Sequence, residues 1–181
     1  MASNAPETTA GSAPALISNT PVPVLMLRGS AALSPFRQAR LMSRLRAALP
    51  LIETVYAEYR HFAALTQELS APELGVLERL LTYGPKLESH APQGDLLLVI
   101  PRLGTISPWS TKATDIAQHC ALKKVRRLER GVAWFVRKRD GIALTPDERR
   151  QVAALVHDRM TESVLAGFDE VATLFRVESP T

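Results

Sequence analysis

Two hydrophobic periods alternate along this chain. Leu96 to Ile100 is an unbroken apolar run of five closed by Pro101, the pattern of a strand buried on both faces. From Thr111 the spacing changes. Ala113, Ile116, Ala117, Cys120 and Ala121 recur at helical intervals and predict a helix N-capped by Ser110 or Thr111. Between run and helix, Arg102 to Ser110 is a hydroxyl-rich loop with one glycine and one further proline.

The same two periods place the other elements. Val22 to Leu27 predicts a first strand. Ile52 to Leu65 predicts a long one, with Val55, Ala57, Tyr59 and His61 on one face and Tyr56, Glu58, Arg60 and Phe62 on the other. A later strand carries Val132, Trp134 and Val136 opposite Ala133 and Phe135. Ser34-Pro35 opens a helix with an apolar stripe of Leu41, Met42, Leu45, Ala48 and Leu49, stopped by Pro50. Arg37, Arg40, Arg44 and Arg46 line its other side, as a solvated face or a phosphate contact. Ser70 with Glu73, and Thr145 with Glu148, are capping boxes ahead of two more amphipathic helices. Gly84-Pro85 ends the first of these helices, and Lys86 to Asp95 follows as a polar loop. Asp169 to Val177 predicts a last short helix.

The order strand, Ser-Pro-aromatic, helix, strand, capping box, helix occurs twice. Ser34-Pro35-Phe36 matches Ser107-Pro108-Trp109, and His61-Phe62 matches Trp134-Phe135, both pairs 73 residues apart. The expected fold class is therefore α+β: two pseudo-repeated β-α-β-α halves, about 22–94 and 95–163, with helices on one face of antiparallel sheets and a pseudo-two-fold between them. Residues 1–21, rich in Ala, Ser, Thr and Pro, are expected to be a disordered tail. Residues 22–163 would form the domain, and 164–181 would begin a linker.

Composition narrows the function. A chain of 181 residues, 46% hydrophobic and 22% charged, can bury a core. The formal charge of +4 is a mild excess, adequate for solubility and weak evidence for a polyanion partner. One cysteine excludes an internal disulfide and fits the cytoplasm. No apolar run reaches the length of a membrane span, about 18 residues. The start of the chain is neither a secretory signal nor an Arg-rich transit peptide.

Strand, Gly-containing loop and Ser-Thr-Lys at a helix start invite comparison with a phosphate-binding loop. Ser110, Thr111 and Lys112 come in the wrong order for it, however, and no second glycine precedes them. Trp109 reads as an anchor against a neighbouring element or domain. His119 and Cys120 are adjacent, so on a helix they diverge by about 100° and do not make a dyad. The histidines at 61, 90, 119 and 157 are dispersed, which does not suit a metal site. No catalytic, cofactor-binding or metal-binding set can be assembled.

The stretch Pro101-Arg102-Leu103-Gly104-Thr105-Ile106-Ser107-Pro108-Trp109-Ser110-Thr111-Lys112-Ala113-Thr114-Asp115 closely resembles the N-terminal domain signature of phosphoribosylformylglycinamidine synthase. Leu27-Arg28-Gly29-Ser30, Tyr56-Ala57-Glu58-Tyr59, Ser89-His90-Ala91-Pro92, Leu128-Glu129-Arg130-Gly131 and His157-Asp158-Arg159-Met160 resemble the same family, in order. Departures are Leu103, where the family usually has Pro, and His119-Cys120-Ala121, where it often has Asn-Cys-Gly. The resemblance implies the large single-chain ligase of purine synthesis, which makes formylglycinamidine ribonucleotide from formylglycinamide ribonucleotide, glutamine and ATP. It implies that the glutaminase residues and the ATP and magnesium sites lie in later domains, so that this piece is an inactive scaffold without cofactors. It further implies a fused dimer of the small companion subunit of the split enzyme. The expected contact surface for the synthetase and glutaminase domains is Arg102, Thr105, Ser107, Trp109, Lys112 and Asp115, with no nucleic acid or membrane partner. Alternatives are a stand-alone companion subunit or a nucleic-acid-binding α/β module, the latter suggested by the basic runs 123–127 and 137–139. The chain is expected to be a fragment of a longer one.

Overall fold

The structure, a computed structural model, describes residues 14–18, 23–82, 93–102, 105–171 and 175. Its elements follow in the order β1 (Ala15–Ser18), β2 (Val24–Ala31), α1 (Pro35–Ala48), β3 (Ile52–Leu65), α2 (Ala71–Leu81), β4 (Asp95–Pro101), α3 (Pro108–His119), β5 (Val125–Lys138), α4 (Pro146–Val156) and β6 (Glu162–Leu165), then a 3-10 turn, Phe168–Val171. The strands make one antiparallel sheet in the order β1-β2-β3-β5-β4-β6. The fold class is α+β, as the two periods imply.

The central pair, β3 and β5, are 14 residues each and pair along almost their whole length, from Ile52 opposite Lys138 to Leu65 opposite Val125. Strand alternation sends successive side chains to opposite faces. Val55, Ala57, Ala63 and Leu65 of β3, with Leu128, Trp134 and Val136 of β5, face the helices. That face carries two cores. One packs α1 and α4 through Leu45 and Val152, and the other packs α2 and α3 through Leu77, Leu81 and Ala117. The opposite face buries Phe62, Leu98, Ile100, Ala133 and Phe135 under Phe168 and Val171.

Both expected capping boxes form. Glu73 and Glu148 each reach back to the cap backbone, at 2.9 Å in both helices. Three expectations shift. Ala15–Ser18, inside the stretch expected to be a disordered tail, pairs with β2 as an edge strand. Glu162–Leu165, four residues too short to show a period, closes the far edge against β4. The last turn is 3-10 and starts at Phe168. Gly84-Pro85, His90 and Leu103-Gly104 lie outside the described residues. Among the described residues no helix is long and apolar enough to cross a membrane.

Candidate functional site: the loop between β4 and α3

The helix after the loop begins earlier than its apolar spacing suggests. Its N-cap is Ser107, whose hydroxyl accepts from the Ser110 amide at 3.0 Å, with Pro108 at N1. Proline's fixed φ and missing N–H suit that position and override the hydroxyls of Ser110 and Thr111. The helix also stops at His119, and Ala121 has a φ of 64°, which breaks the helical run.

The buried face is rotated from the one expected. Ile116 is 44% exposed and Cys120 is exposed, while Ser110 and Ala117 are fully buried. The reason lies in β5. Among the described residues β4 pairs with β5 only from Val132 to Val136 and no other strand lies on that side of Leu128, whose polar groups there still need partners. Helix hydroxyls supply them. Ser110 donates to the Leu128 carbonyl, and Thr114 Oγ1 accepts from the Leu128 amide at 2.9 Å.

A buried ion pair fixes the loop. Arg127 Nη2 meets Glu129 Oε2 at 2.8 Å, and both side chains are nearly closed to solvent. Glu129 Oε1 accepts from Ser107 Oγ at 2.7 Å and from the Arg130 amide at 3.1 Å. Arg127 also donates to the Thr105 carbonyl at 3.0 Å and to Ser110 Oγ at 3.3 Å. Upstream, the Arg102 carbonyl accepts from the Thr105 amide and hydroxyl, and the Arg102 amide donates to the Thr161 carbonyl at 2.9 Å. The buried pair thus holds the loop where it enters α3, at Thr105 and Ser107, while Arg102 is bonded to the turn at Thr161; a charged hydrogen bond out of solvent is stronger than a neutral one.

Trp109 stacks on His61 of β3, with centroids 5.5 Å apart and planes 24° from parallel. The Arg130 guanidinium lies 4.4 Å from the Tyr59 ring centroid and 5.1 Å from that of Trp109, a cation between two rings. His61 is fully buried, and burial, then the neighbouring Arg130 charge, lowers its pKa to about 4. Trp109 therefore anchors the helix start to the chain's own sheet.

The six residues expected to form a contact surface divide in two. Arg102, Thr105, Lys112 and Asp115 are exposed; Ser107 and Trp109 are half-buried and face inward to Glu129 and His61. Lys112 and Asp115 border an open hollow of about 690 Å³ that also includes Thr111, Ser110 and Arg126. Lys112 and Trp109 border a second, apolar hollow of about 350 Å³ with Leu80, Leu81 and Ile116. The sequence reading did not place the turn 158–162 beside the loop. There Asp158 accepts from the Met160 amide at 2.8 Å, and Met160 projects 76% exposed. The sequence carried only the resemblance of His157-Asp158-Arg159-Met160, and the pairing of Pro101 with Glu162 is long-range and invisible to local pattern.

Among the described residues, no histidine sits on the hydroxyl of Ser107 or Ser110. The Ser107 hydroxyl is spent on Glu129 and that of Ser110 on the Leu128 carbonyl. His119 Nδ1 sits 2.7 Å from the Asp115 carbonyl on the exposed side of α3. Among the described residues no three His, Cys, Asp or Glu side chains gather as a metal site would need.

The fold and the loop define an α+β domain with a rigid, hydroxyl-rich projection secured by a buried Arg-Glu pair. The family model described as formylglycinamide ribonucleotide amidotransferase N-terminal matches residues 58–175, and the chain belongs to that family. It is an N-terminal domain of the formylglycinamide ribonucleotide amidotransferase type, of purine biosynthesis.

Proposed function

We propose that this domain is a non-catalytic docking element that positions the synthetase and glutaminase domains of the same enzyme, and that the stretch from 102 to 115 is its contact surface. The observation that carries the reading is the loop's construction. Ser107, Ser110, Arg127 and Glu129 are engaged inward, while Arg102, Thr105, Lys112 and Asp115 are exposed on a stretch that the Arg127-Glu129 pair bonds at Thr105 and Ser107. A preorganised surface loses little entropy on association. ATP, magnesium and the ammonia chemistry belong, in this reading, to the later domains of a cytoplasmic enzyme.

The basic runs do not favour a nucleic-acid-binding module. Arg127 is buried against Glu129, Lys124 pairs with Glu73 at 2.7 Å, and Lys138 pairs with Glu148 at 3.0 Å. We further infer that the halves are a duplicated unit. Tyr59 pairs with Val132, which is itself 73 residues on, so a two-fold between the halves passes through this pair. The Val55 carbonyl accepts from Gln38 of α1 as the Leu128 carbonyl does from Ser110 of α3.

The test uses the full-length enzyme carrying Arg102→Glu and Lys112→Glu. Glutamine-dependent turnover should fall about tenfold, as expected for a disrupted charged interface, while the melting temperature of the 181-residue chain with the same changes stays at the wild-type value. Wild-type turnover in the double variant removes the docking surface. ATP hydrolysis with glutamine by the 181-residue chain alone removes the non-catalytic role.

A further inference from the structure

Helix α1 carries four arginines with no carboxylate among them; β5 has the same net charge, but its Arg127, Arg137 and Lys138 have ion-pair partners. The chain has 22 Lys and Arg against 18 Asp and Glu, a formal +4. α1 alone holds four arginines and no carboxylate, so the remainder of the chain is balanced. Arg46 donates to the carbonyls of Ile52 and Glu53. Arg37, Arg40 and Arg44, at spacings of three and four, fall on one exposed stripe, and among the described residues none of them has an ion pair. The stripe runs about 10 Å along the helix.

Two features oppose stability and so ask for a reason. Arg37 sits in the first turn, where the helix dipole disfavours a cation, and no acidic residue offsets it there. Phe36, in the same position after its Ser-Pro as Trp109, is 75% exposed, whereas Trp109 packs on His61. An exposed aromatic beside unpaired arginines is the residue set enriched at the centres of protein interfaces. The helix also lies outside the family match of residues 58–175.

We propose that the α1 face formed by Phe36, Arg37, Arg40 and Arg44 binds an acidic protein surface. Carboxylates of the partner take the guanidinium forks, and an apolar spot takes the Phe36 ring. The stripe is short, and the other basic cluster, on β5, has Arg127, Arg137 and Lys138 in ion pairs; both favour a carboxylate-bearing protein over a nucleic acid, which draws on a broad basic field. This surface is separate from the loop after β4 and does not depend on the docking role proposed for it.

The experiment titrates the 181-residue chain with a fluorescent synthetic helical peptide bearing Glu stripes and one Leu stripe. A single-stranded RNA oligonucleotide serves as the competing polyanion. Both titrations are run at low ionic strength, about 50 mM, where exposed charges are least screened. The peptide should bind wild type. Arg37→Glu with Arg40→Glu and Arg44→Glu should weaken it by about tenfold or more, and Phe36→Ala by about threefold. The melting temperature of the triple variant should hold or rise, because Glu in the first turn suits the dipole. Arg37→Gln with Arg40→Gln and Arg44→Gln, lacking reversed charge, should also lose peptide binding. No binding by wild type, or affinity within twofold of wild type in the triple variants, overturns the proposal. Tighter binding of the RNA with no effect of Phe36→Ala replaces the protein partner with a nucleic acid and also overturns it.

Discussion

His61 shows how one residue ties the site to the sheet. Its ring lies flat against Trp109, and an added Cβ on Gly29 would fall 2.7 Å from its Cε1 and 2.9 Å from the Tyr59 carbonyl. The strand beside it therefore has room for no side chain at that point. The ring is buried neutral, with a pKa lowered from 6.5 to about 4, first by burial and then by the Arg130 charge. The unfolded chain takes up this proton below pH 6.5 while the folded chain resists it until pH 4. Stability from this group is thus complete above pH 6.5 and is lost as pH falls toward 4, by about 3 kcal/mol in all. Urea unfolding at pH 7 and pH 4.5 should show the loss. His61→Phe, which keeps an aromatic ring on Trp109, should flatten the profile over that window. The lowered pKa of Glu73, about 2 through its bonds to Lys124 and Ser70, places its own contribution at more acid pH. An unchanged profile in the variant would mean that His61 is not the titrating group.

Among the elements, the two Ser-Pro helix starts allow a direct comparison. Ser34 accepts from the Arg37 amide at 3.3 Å and is exposed, and among the described residues its hydroxyl makes no further bond. Ser107 accepts from the Ser110 amide and donates to the buried Glu129. Ser34→Ala should cost about 1 kcal/mol, the usual worth of a cap. Ser107→Ala should cost about 2–3 kcal/mol, because it also removes a donor from a buried carboxylate. Equal costs in chemical denaturation would show that the Ser107-Glu129 bond adds nothing. The same pair explains what the sequence could and could not disclose. Ser-Pro and the two capping boxes are local, so Ser34, Ser70 and Thr145 were legible as helix starts. At Ser107 the local signal competed with Ser110 and Thr111, and Pro108 at N1 decides for Ser107; that the Ser110 and Thr114 hydroxyls are taken up by the Leu128 backbone, far along the chain, was not legible. The inward roles of Ser107 and Trp109 were hidden for the same reason: Glu129 and His61 reach them only after β3 and β5 pair.

For the molecule as a whole, stability should be graded outward from the central ladder. β3 and β5 are paired on both sides and carry residues of all three cores on their faces. β1 and β6 are four residues each and occupy the edges, and β6 has no fully buried residue. The site draws on this gradient. Its loop is held by Arg127, Glu129 and Arg130 of β5 and by His61 of β3, yet it also touches the edge through the bond from the Arg102 amide to the Thr161 carbonyl. Local openings follow such differences in burial and backbone pairing. Native-state hydrogen exchange should find the amides of Val55 to Ala63 and Leu128 to Val136 exchanging only through global unfolding, while those of β1 and β6 exchange through smaller openings. The Ser110 and Leu128 amides should behave as part of the central group, because the helix start is bonded to β5 itself. If those two amides exchange with the edge strands, the loop is governed by the turn at Thr161 rather than by the Arg127-Glu129 pair, and the preorganised docking surface loses its physical basis.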